Sequence, residues 1–514
     1  MFIQKIKLLL VVGAFAVAGC TQTTHIPVSN ATDLGENNLP QLNSTKTISV
    51  VLPESAVAND IRRGAALAFI SARDPNINVR FTNIADDDIV SEKIEVALDD
   101  DPDFIIGPLT SENVKTLRGE KSSRIPAITF TSDVYALGDN VSTMSLIPTQ
   151  SADAIVKFIA SENKKNIIIF APDDASGHTM ANTALNAADI YKLEISGFYY
   201  YKSGDMESLR NAAQNGAMFN ARENANTRAR EILSDALMTQ NLDTAQKLNL
   251  NTKLEKLNKT DTIGNVPYNA VLFLGNVNDS RSLGSFLRYF DVPANRVSFY
   301  GTAMWDNSAM MSDMIFSGAR FSAMPAISQN FADEYKNITG DDASIFSALG
   351  YDASTLAIAS LHNDDTNSFL TNPSGFRGAT GLIKINPSGT SVRALEIREL
   401  NGTGVAQTIE QSAQNFINPI YSADTINSSR PNEIHIATGI NPMDYLNLSD
   451  ALRKKYKSKT FYQTNDKPIE KKTTTEEIII LPNDDNPEIA AGPDFKQVSP
   501  EPVQRTMIDA VSIR

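Results

Sequence analysis

The chain has 514 residues and a formal net charge of −14 at neutral pH. This length exceeds what one ordinary domain holds and predicts two or three compact lobes. The acidic balance excludes a nucleic-acid-binding protein, because no basic face offsets the charge, and it argues against adhesion to anionic lipid head groups.

The first 19 residues have the composition of a bacterial signal peptide. Lys5 and Lys7 form a short basic start, and the apolar run over residues 8–18 is too short to span a membrane. The run ends in small residues before Cys20, the only cysteine of the chain, which resembles a lipobox. We therefore expect cleavage after residue 19, lipidation of Cys20 (a palmitate-bearing lipoprotein), and a mature domain without disulfides or thiolate metal sites. The alternative is an ordinary cleaved signal followed by a chance cysteine.

The first lobe is predicted over residues 47–148, after a flexible tether rich in Thr, Asn and Ser over residues 20–46. Strand-like runs alternate with apolar residues at helical spacing, in the order βαβαβαβ. This order is typical of a parallel sheet with helices on both faces. The predicted strands span residues 48–53, 78–82, 104–107 and 127–130, and the predicted helices span residues 57–69, 89–98 and 114–118.

The α/β pattern starts again over residues 149–324, which predicts a second, similar lobe. Residues 206–263 interrupt it with a stretch that is charged and, over residues 221–256, free of Gly and Pro, which predicts a helical insertion. Residues 413–514 are predicted to be a mostly disordered tail because prolines lie among polar residues, although residues 443–457 could form a lone basic helix. The predicted strands span residues 167–171, 198–201, 270–274 and 297–300, and the predicted helices span residues 154–160, 179–191 and 283–290.

The chain lacks the common catalytic motifs, including GxSxG, HExxH, the phosphate-binding GK[ST] loop and GxGxxG. Ser176 and His178 near Asp174 do not make a nucleophile triad, because residues two apart at a helix start do not face each other. The acidic runs at residues 86–88 and 99–103 lack the glycine and the terminal glutamate of an EF-type calcium loop. We therefore predict a protein that is not an enzyme and has no cofactor and no metal site. The four histidines are too scattered for a zinc site and are His25, His178, His362 and His435.

The ends of the predicted strands offer candidate ligand contacts. Ligands of open α/β sheets bind beyond the carboxyl ends of the strands. Thr110 or Ser111 can cap the helix that follows the third strand, and the free N–H groups of that helix suit a carboxylate or another anion. Thr129, Thr131 and Ser132 follow on the same rim. We predict that Ser111, Thr129, Thr131 and Ser132 line a cleft, the alternative being that these hydroxyls serve only caps and turns.

Seven segments, in this order, resemble the type I periplasmic binding proteins of the leucine-binding-protein group. The resemblance covers about residues 48–400. It implies two doubly wound, Rossmann-like lobes joined by a multi-strand hinge, with residues 325–375 returning to the first lobe and residues 376–412 forming closing strands. The segments are IIGPLTSENV, RIPAITFTSD, NIIIFAPDDASGHTMAN, AVLFLGN, VSFYGTAMWDN, SALGYDAS and GFRGATGLIKINPSG.

Within that group, GTAMWDN and GFRGATGL look most like the penicillin-binding-protein activators of Gram-negative bacteria. These are outer-membrane lipoproteins that dock on a peptidoglycan synthase and stimulate it. The resemblance implies a periplasm-facing outer-membrane lipoprotein whose partner is a penicillin-binding protein. Thr21, where an Asp would indicate inner-membrane retention, agrees with the outer membrane.

The match departs from amino-acid binders at the second lobe. Ser176 stands before Gly177, where such binders usually place an aromatic residue, and no clear acidic residue would hold an α-ammonium group. Ser176 is the fifth candidate cleft residue, and a small-molecule ligand is expected only as a secondary partner. The alternative function is a lipid-anchored solute receptor of an amino-acid-type ABC importer.

Overall fold

The structure is a computed structural model that describes residues 30–34, 39–85, 90–99, 101–117, 124–138, 140–416, 442–446 and 448–457. The predicted signal peptide, Cys20 and the tail beyond residue 457 lie outside these ranges. Within the described ranges no helix is both long and apolar enough to cross a membrane.

The first lobe is built on a five-stranded, wholly parallel sheet. Its strands are β2 (Lys46–Pro53), β3 (Ile77–Ile84), β4 (Phe104–Ile106), β5 (Ala127–Thr129) and β6 (Val141–Thr143), and its first helices are α1 (Ala56–Ala72), α2 (Val90–Asp99) and α3 (Ser111–Lys115). The strand order is β3-β2-β4-β5-β6. Five successive residues of β2 are buried, as expected of a strand that is covered on both faces.

Three later helices complete the first lobe. They are α11 (Gln329–Thr339), α12 (Ile345–Leu361) and α13 (Thr366–Leu370). Helices α1 and α12 touch at two glycines: a methyl group on Gly64 would lie 1.8 Å from the backbone oxygen of Ser347, and one on Gly350 would lie 2.1 Å from that of Ile61. This close approach holds the returning chain on the first lobe.

The second lobe is built on a seven-stranded sheet. Its strands are β7 (Asn166–Pro172), β8 (Glu194–Tyr201), β9 (Ala270–Phe273), β10 (Ser298–Gly301), β11 (Arg320–Ala323), β15 (Glu396–Leu400) and β16 (Ala406–Glu410). The order is β16-β15-β11-β10-β9-β7-β8, in which β15 runs antiparallel to both of its neighbours and the other pairs are parallel. Its helices are α4 (Pro148–Ser161), α5 (Ala175–Ile190), α6 (Met206–Gly216), α9 (Val277–Tyr289) and α10 (Ser308–Met311), with short 3-10 turns at Ala303–Trp305 and Met314–Phe316. The two parallel-rich sheets confirm the predicted pair of α/β lobes.

The predicted insertion over residues 206–263 divides into two parts. Helix α6 packs on β8 and α9 and is an ordinary crossover of the lobe. The true insertion is a hairpin of α7 (Phe219–Thr239) and α8 (Thr244–Leu257). Its base is held by two buried polar side chains: Arg222 donates to the carbonyls of residues 290 and 291, and Asn226 donates to those of residues 257, 260 and 261.

The predicted lone basic helix over residues 443–457 is two helices that are not alone. They are α14 (Pro442–Leu446) and α15 (Asp450–Lys457), and α14 packs against α7. Their apolar side chains need a covering surface, and the hairpin supplies it. The segment that was expected to be helical within the tail is thus helical, but as two short helices that pack on the protein.

The predicted tether is ordered over part of its length. β1 (Thr32–Asp33) pairs in parallel with β12 (Phe376–Gly378), in a four-stranded sheet of order β1-β12-β13-β14 with β13 (Gly381–Ile385) and β14 (Ser391–Arg393). The Arg377 guanidinium lies 3.2 Å from the Asp33 carboxylate. A flexible tether reaching residue 46 is therefore wrong at its C-terminal end, because β12 offers an edge that the segment can pair with.

The chain passes between the lobes after β6, after β11 and between β14 and β15. A buried polar chain joins these connections. Arg393 donates to the Met144 backbone oxygen at 3.1 Å and to the Thr380 hydroxyl at 2.9 Å. The Thr380 hydroxyl donates to the Asp352 carboxylate at 2.5 Å. Burial raises the pKa of Asp352, and burial lowers the pKa of Arg393 to about 10.

Arg393→Met should lower the free energy of unfolding by roughly 3 kcal/mol, because it leaves the Asp352 carboxylate buried without its nearby cation. The loss should be larger at pH 8 than at pH 5. Burial raises the folded-state pKa of Asp352, so the stability linked to its proton is present below the unfolded-state pKa and is lost as pH rises through the folded-state pKa.

Urea unfolding of the chain from residue 21 onward, at both pH values, measures this loss. The matched control is Arg63→Met, whose ion pair with Asp341 is exposed to solvent and should contribute little to stability. A loss from Arg393→Met that does not change with pH would contradict the assignment.

Candidate functional site

The carboxyl-terminal strand ends of the first lobe form a rim around Asp133. Ser111 begins α3, and its hydroxyl donates to the Asp133 carboxylate. The Thr131 hydroxyl accepts from the Asp133 N–H at 3.1 Å. The hydrogen bond from Ser111 lowers the pKa of Asp133, so this carboxyl group is ionised at neutral pH. The Lys115 ammonium lies 3.5 Å from this carboxylate and offsets part of its charge. The carboxylate still occupies the position beside the start of α3 where an anion was predicted to bind, which disfavours an anionic ligand there.

The four candidate cleft residues of the first lobe differ in how exposed their side chains are. Thr129 is fully buried and donates to the Ser142 backbone oxygen at 3.1 Å, so it stabilises the sheet edge. Thr131 is also buried. Ser111 is half-buried and Ser132 is exposed. Only Ser111 and Ser132 therefore offer a hydroxyl near the surface of the rim.

Ser176 lies on the second lobe, exposed in the first turn of α5. Asp174 caps this helix, because its carboxylate accepts from the Gly177 N–H at 2.7 Å. A methyl group on Gly177 would lie 2.0 Å from the Pro172 oxygen, so the turn needs glycine. His178 bonds to Asp173 at 2.7 Å rather than to Asp174. The structure thus does not join Ser176, His178 and Asp174 as a triad.

Asp279 lies at the centre of a second rim, on the second lobe. This rim was not predicted from the sequence. Asp279 is 3% exposed and accepts hydrogen bonds from the Ser203 hydroxyl at 2.6 Å, the Gly204 N–H at 3.0 Å and the Asn276 amide at 2.8 Å. Ser203 follows β8, and Asn276 follows β9 and caps α9. Asp279 is the acidic residue that the sequence did not reveal, because it lies inside a helix. The sequence feature that could have indicated this residue is the spacing of Asn276 and Asp279, three apart, directly after an apolar strand.

An open cavity of about 470 Å³ lies over this rim. It offers a hydroxyl, amides and one carboxylate that already has three donors, so it suits a small polar ligand that can supply a further donor. The described residues hold no group of three His, Cys, Asp or Glu side chains arranged for a metal ion. The lining residues are Ser203, Gly204, Asn276, Val277, Asn278, Asp279 and Met304.

Tyr201 lies beneath the second-lobe rim. It is 2% exposed, and its hydroxyl has no hydrogen-bond partner among the described residues. Burial and then the negative charge of Asp279 raise the pKa of Tyr201, so the phenol is neutral. A methyl group on Gly275 would lie 1.8 Å from the Tyr201 hydroxyl oxygen. Glycine at the end of β9 therefore makes room for this ring.

Gly275→Ala should destabilise the protein by roughly 1–3 kcal/mol, because the added methyl meets the Tyr201 hydroxyl. Tyr201→Phe alone should change stability by less than about 0.5 kcal/mol, since it removes a group that makes no hydrogen bond within the described structure. The double variant should recover most of the loss. Urea unfolding of all three variants measures the coupling, and additive effects would show that the two groups do not meet.

Comparisons with known proteins bear on the fold. A putative branched-chain amino acid ABC transporter protein from Rhodospirillum rubrum is similar over 71% of this chain and 100% of that one, with 13% identity and a TM-score of 0.52. The leucine-binding protein LivK of Thermotoga maritima matches over 71% and 97%, with 14% identity and a TM-score of 0.44. The C-domain of Haemophilus influenzae LpoA, described as a regulator of PBP1A, matches over 71% and 100%, with 14% identity and a TM-score of 0.48.

No protein-family model and no curated protein matches the chain. Identities this low show the fold and leave the role open. The fold is the two-lobed fold of the type I periplasmic binding proteins.

Proposed function

We propose that this protein is a non-catalytic envelope lipoprotein, anchored at Cys20 in the outer membrane, that regulates peptidoglycan synthesis by binding a penicillin-binding protein. The observation that carries the proposal is the α7–α8 hairpin on the second lobe. The hairpin adds a surface that trapping a solute between two lobes does not require, and this surface is available to a protein partner.

The hairpin lies outside the strand order of both sheets and contributes no residue to either strand-end rim. It also exposes large apolar side chains. Met238 is 85% exposed and Leu248 is 66% exposed. Exposed apolar side chains contribute favourable free energy when a protein partner covers them.

The polar groups of the two rims also favour a partner over a solute. In the first lobe, Ser111 and Thr131 bond to Asp133. In the second lobe, Asp279 is bonded by three donors. A solute would have to compete with these internal hydrogen bonds, which lowers the net gain from binding.

One observation favours the second candidate function, a solute receptor of an ABC importer. The cavity over Asp279 is open, and it places a carboxylate beside the Ser203 hydroxyl and the Asn276 amide. A small solute with an ammonium group would find charge complementarity there.

Removing residues 228–256 and closing the gap with a short Gly-Ser linker should abolish capture of the synthase while both lobes remain folded. The linker is short because the Asn226 amide lies 3.3 Å from the Leu257 oxygen, so the cut ends are neighbours, and Arg222 and Asn226 stay in place. The measurement is a pull-down from membranes in which penicillin-binding proteins carry a fluorescent penicillin. Val405→Glu, which changes an exposed apolar residue of the second lobe outside the hairpin, is the control and should capture the synthase normally. Undiminished capture by the deletion variant would remove the hairpin from the mechanism.

Free amino acids at millimolar concentration should not raise the melting temperature of the protein. A receptor at 100 times its dissociation constant would gain about 2.7 kcal/mol from its ligand by mass action. Differential scanning fluorimetry with each amino acid provides the measurement, and Asp279→Asn provides the control. A shift of several degrees that Asp279→Asn abolishes would establish the receptor function instead.

A further inference from the structure

The segment of residues 442–457, called here the tail segment, is held on the protein by its apolar side chains. Isolated helices of five and eight residues are not stable in water, so α14 and α15 depend on the surface beneath them. Its buried side chains are Met443, Leu446, Leu448, Leu452 and Tyr456.

Helix α15 is amphipathic. Leu452 and Tyr456 lie four residues apart on one face and are buried, while Arg453, Lys454 and Lys455 are exposed. Residues four apart share one side of a helix, so a single apolar stripe contacts the protein. The tail segment thus has the form of a peptide ligand that binds as a helix in a groove.

Polar contacts add specificity to this groove. The Tyr456 hydroxyl donates to the Asp235 carboxylate of α7, and the Lys455 ammonium lies 4.0 Å from the same group. Lys253 of α8 donates to the Leu446 backbone oxygen, the last of α14, at 3.0 Å. A cation at a helix C-terminus is favourable because the terminal carbonyls carry partial negative charge. The groove therefore selects an apolar stripe, a tyrosine hydroxyl and a basic residue beside it.

The tail segment can leave this groove without opening either lobe. It contributes no strand to the described sheets. Twenty-five residues, numbers 417–441, connect it to the last described residue of the second lobe.

We propose that the tail segment is a reversible internal cover, and that the groove it occupies on α7 and α8 binds the protein partner through a partner helix of the same chemistry. That helix would carry apolar residues four apart, one of them a tyrosine, with a basic residue beside it. This proposal rests on the proposed partner-binding function and adds the surface, the recognition chemistry and a means of regulation.

The test uses a fluorescent peptide with the sequence of residues 442–457 and the full mature chain. In a release variant, Leu452→Asp with Tyr456→Ala, the cover loses its apolar stripe. The peptide should bind this variant at least tenfold more tightly than the wild type, whose own segment competes. Equal binding to both chains would overturn the proposal.

Charge reversal in the groove provides a matched pair. In the release variant, Asp235→Lys should weaken peptide binding about tenfold, and Glu231→Lys, which changes an exposed residue of the same helix, should leave it unchanged. A peptide with Lys455→Glu should regain affinity for the Asp235→Lys chain. If Asp235→Lys and Glu231→Lys changed the peptide affinity equally, Asp235 would not contribute to recognition of the peptide. This result would overturn the proposal.

Hydrogen exchange on the unmutated protein tests the cover independently of any folding defect. Amides of α15 should exchange at least a hundredfold faster than the buried amides of α12, because the segment opens without the lobes. Exchange at the same rate would mean that the segment leaves only on global unfolding, and the proposal would fail.

The synthase pull-down separates this proposal from the proposed function. If both hold, the release variant captures severalfold more penicillin-labelled synthase than the wild type. If the release variant binds the peptide tightly but captures no more synthase than the wild type, the synthase is not the partner. The proposal of a reversible cover would still stand.

Discussion

Arg393 carries a positive charge into the interior where the chain passes between the lobes for the last time. The Met144 carbonyl and the Thr380 hydroxyl bind its guanidinium, and Thr380 in turn binds Asp352. Residues far apart in sequence are thereby brought to one point. Without any one of them a buried charge would lose its partner, which costs several kcal/mol. The register of β14, the position of α12 and the exit of the first lobe therefore depend on each other.

The strand-end rims of the two lobes differ in their polar groups. The first-lobe rim carries the ionised Asp133, which already accepts a hydrogen bond from Ser111. The second-lobe rim combines a buried carboxylate with an open cavity. The second-lobe rim is therefore better suited than the first-lobe rim to bind a small ligand. The α7–α8 hairpin belongs to the same lobe, so movement of this lobe would displace both surfaces together.

The sequence predicted the sheets well because parallel strands that are covered on both faces, such as β2 and β9, are runs of β-branched and apolar residues. It missed β1, whose two polar residues form a strand only because β12 provides an edge. It placed Thr129 in the cleft, although all three residues of β5 are buried and the Thr129 hydroxyl donates to the Ser142 carbonyl of the neighbouring strand. Asp279 escaped notice because its hydrogen-bond partner Ser203 follows a different strand, far away in the sequence. Local hydrophobic patterns in the sequence indicate which residues are buried. Contacts between distant segments become visible only in the folded structure.

The pairing of β1 with β12 also sets how far the body can stand from a membrane. If Cys20 anchors the chain, the twelve residues that lead to Thr32 can span at most about 40 Å. If β1 were unpaired, the span would continue to Lys46, and twenty-six residues can span at most about 90 Å. The pairing of a two-residue strand would then roughly halve the greatest distance between the anchor and the lobes, and with it the range over which the helical hairpin could meet a partner.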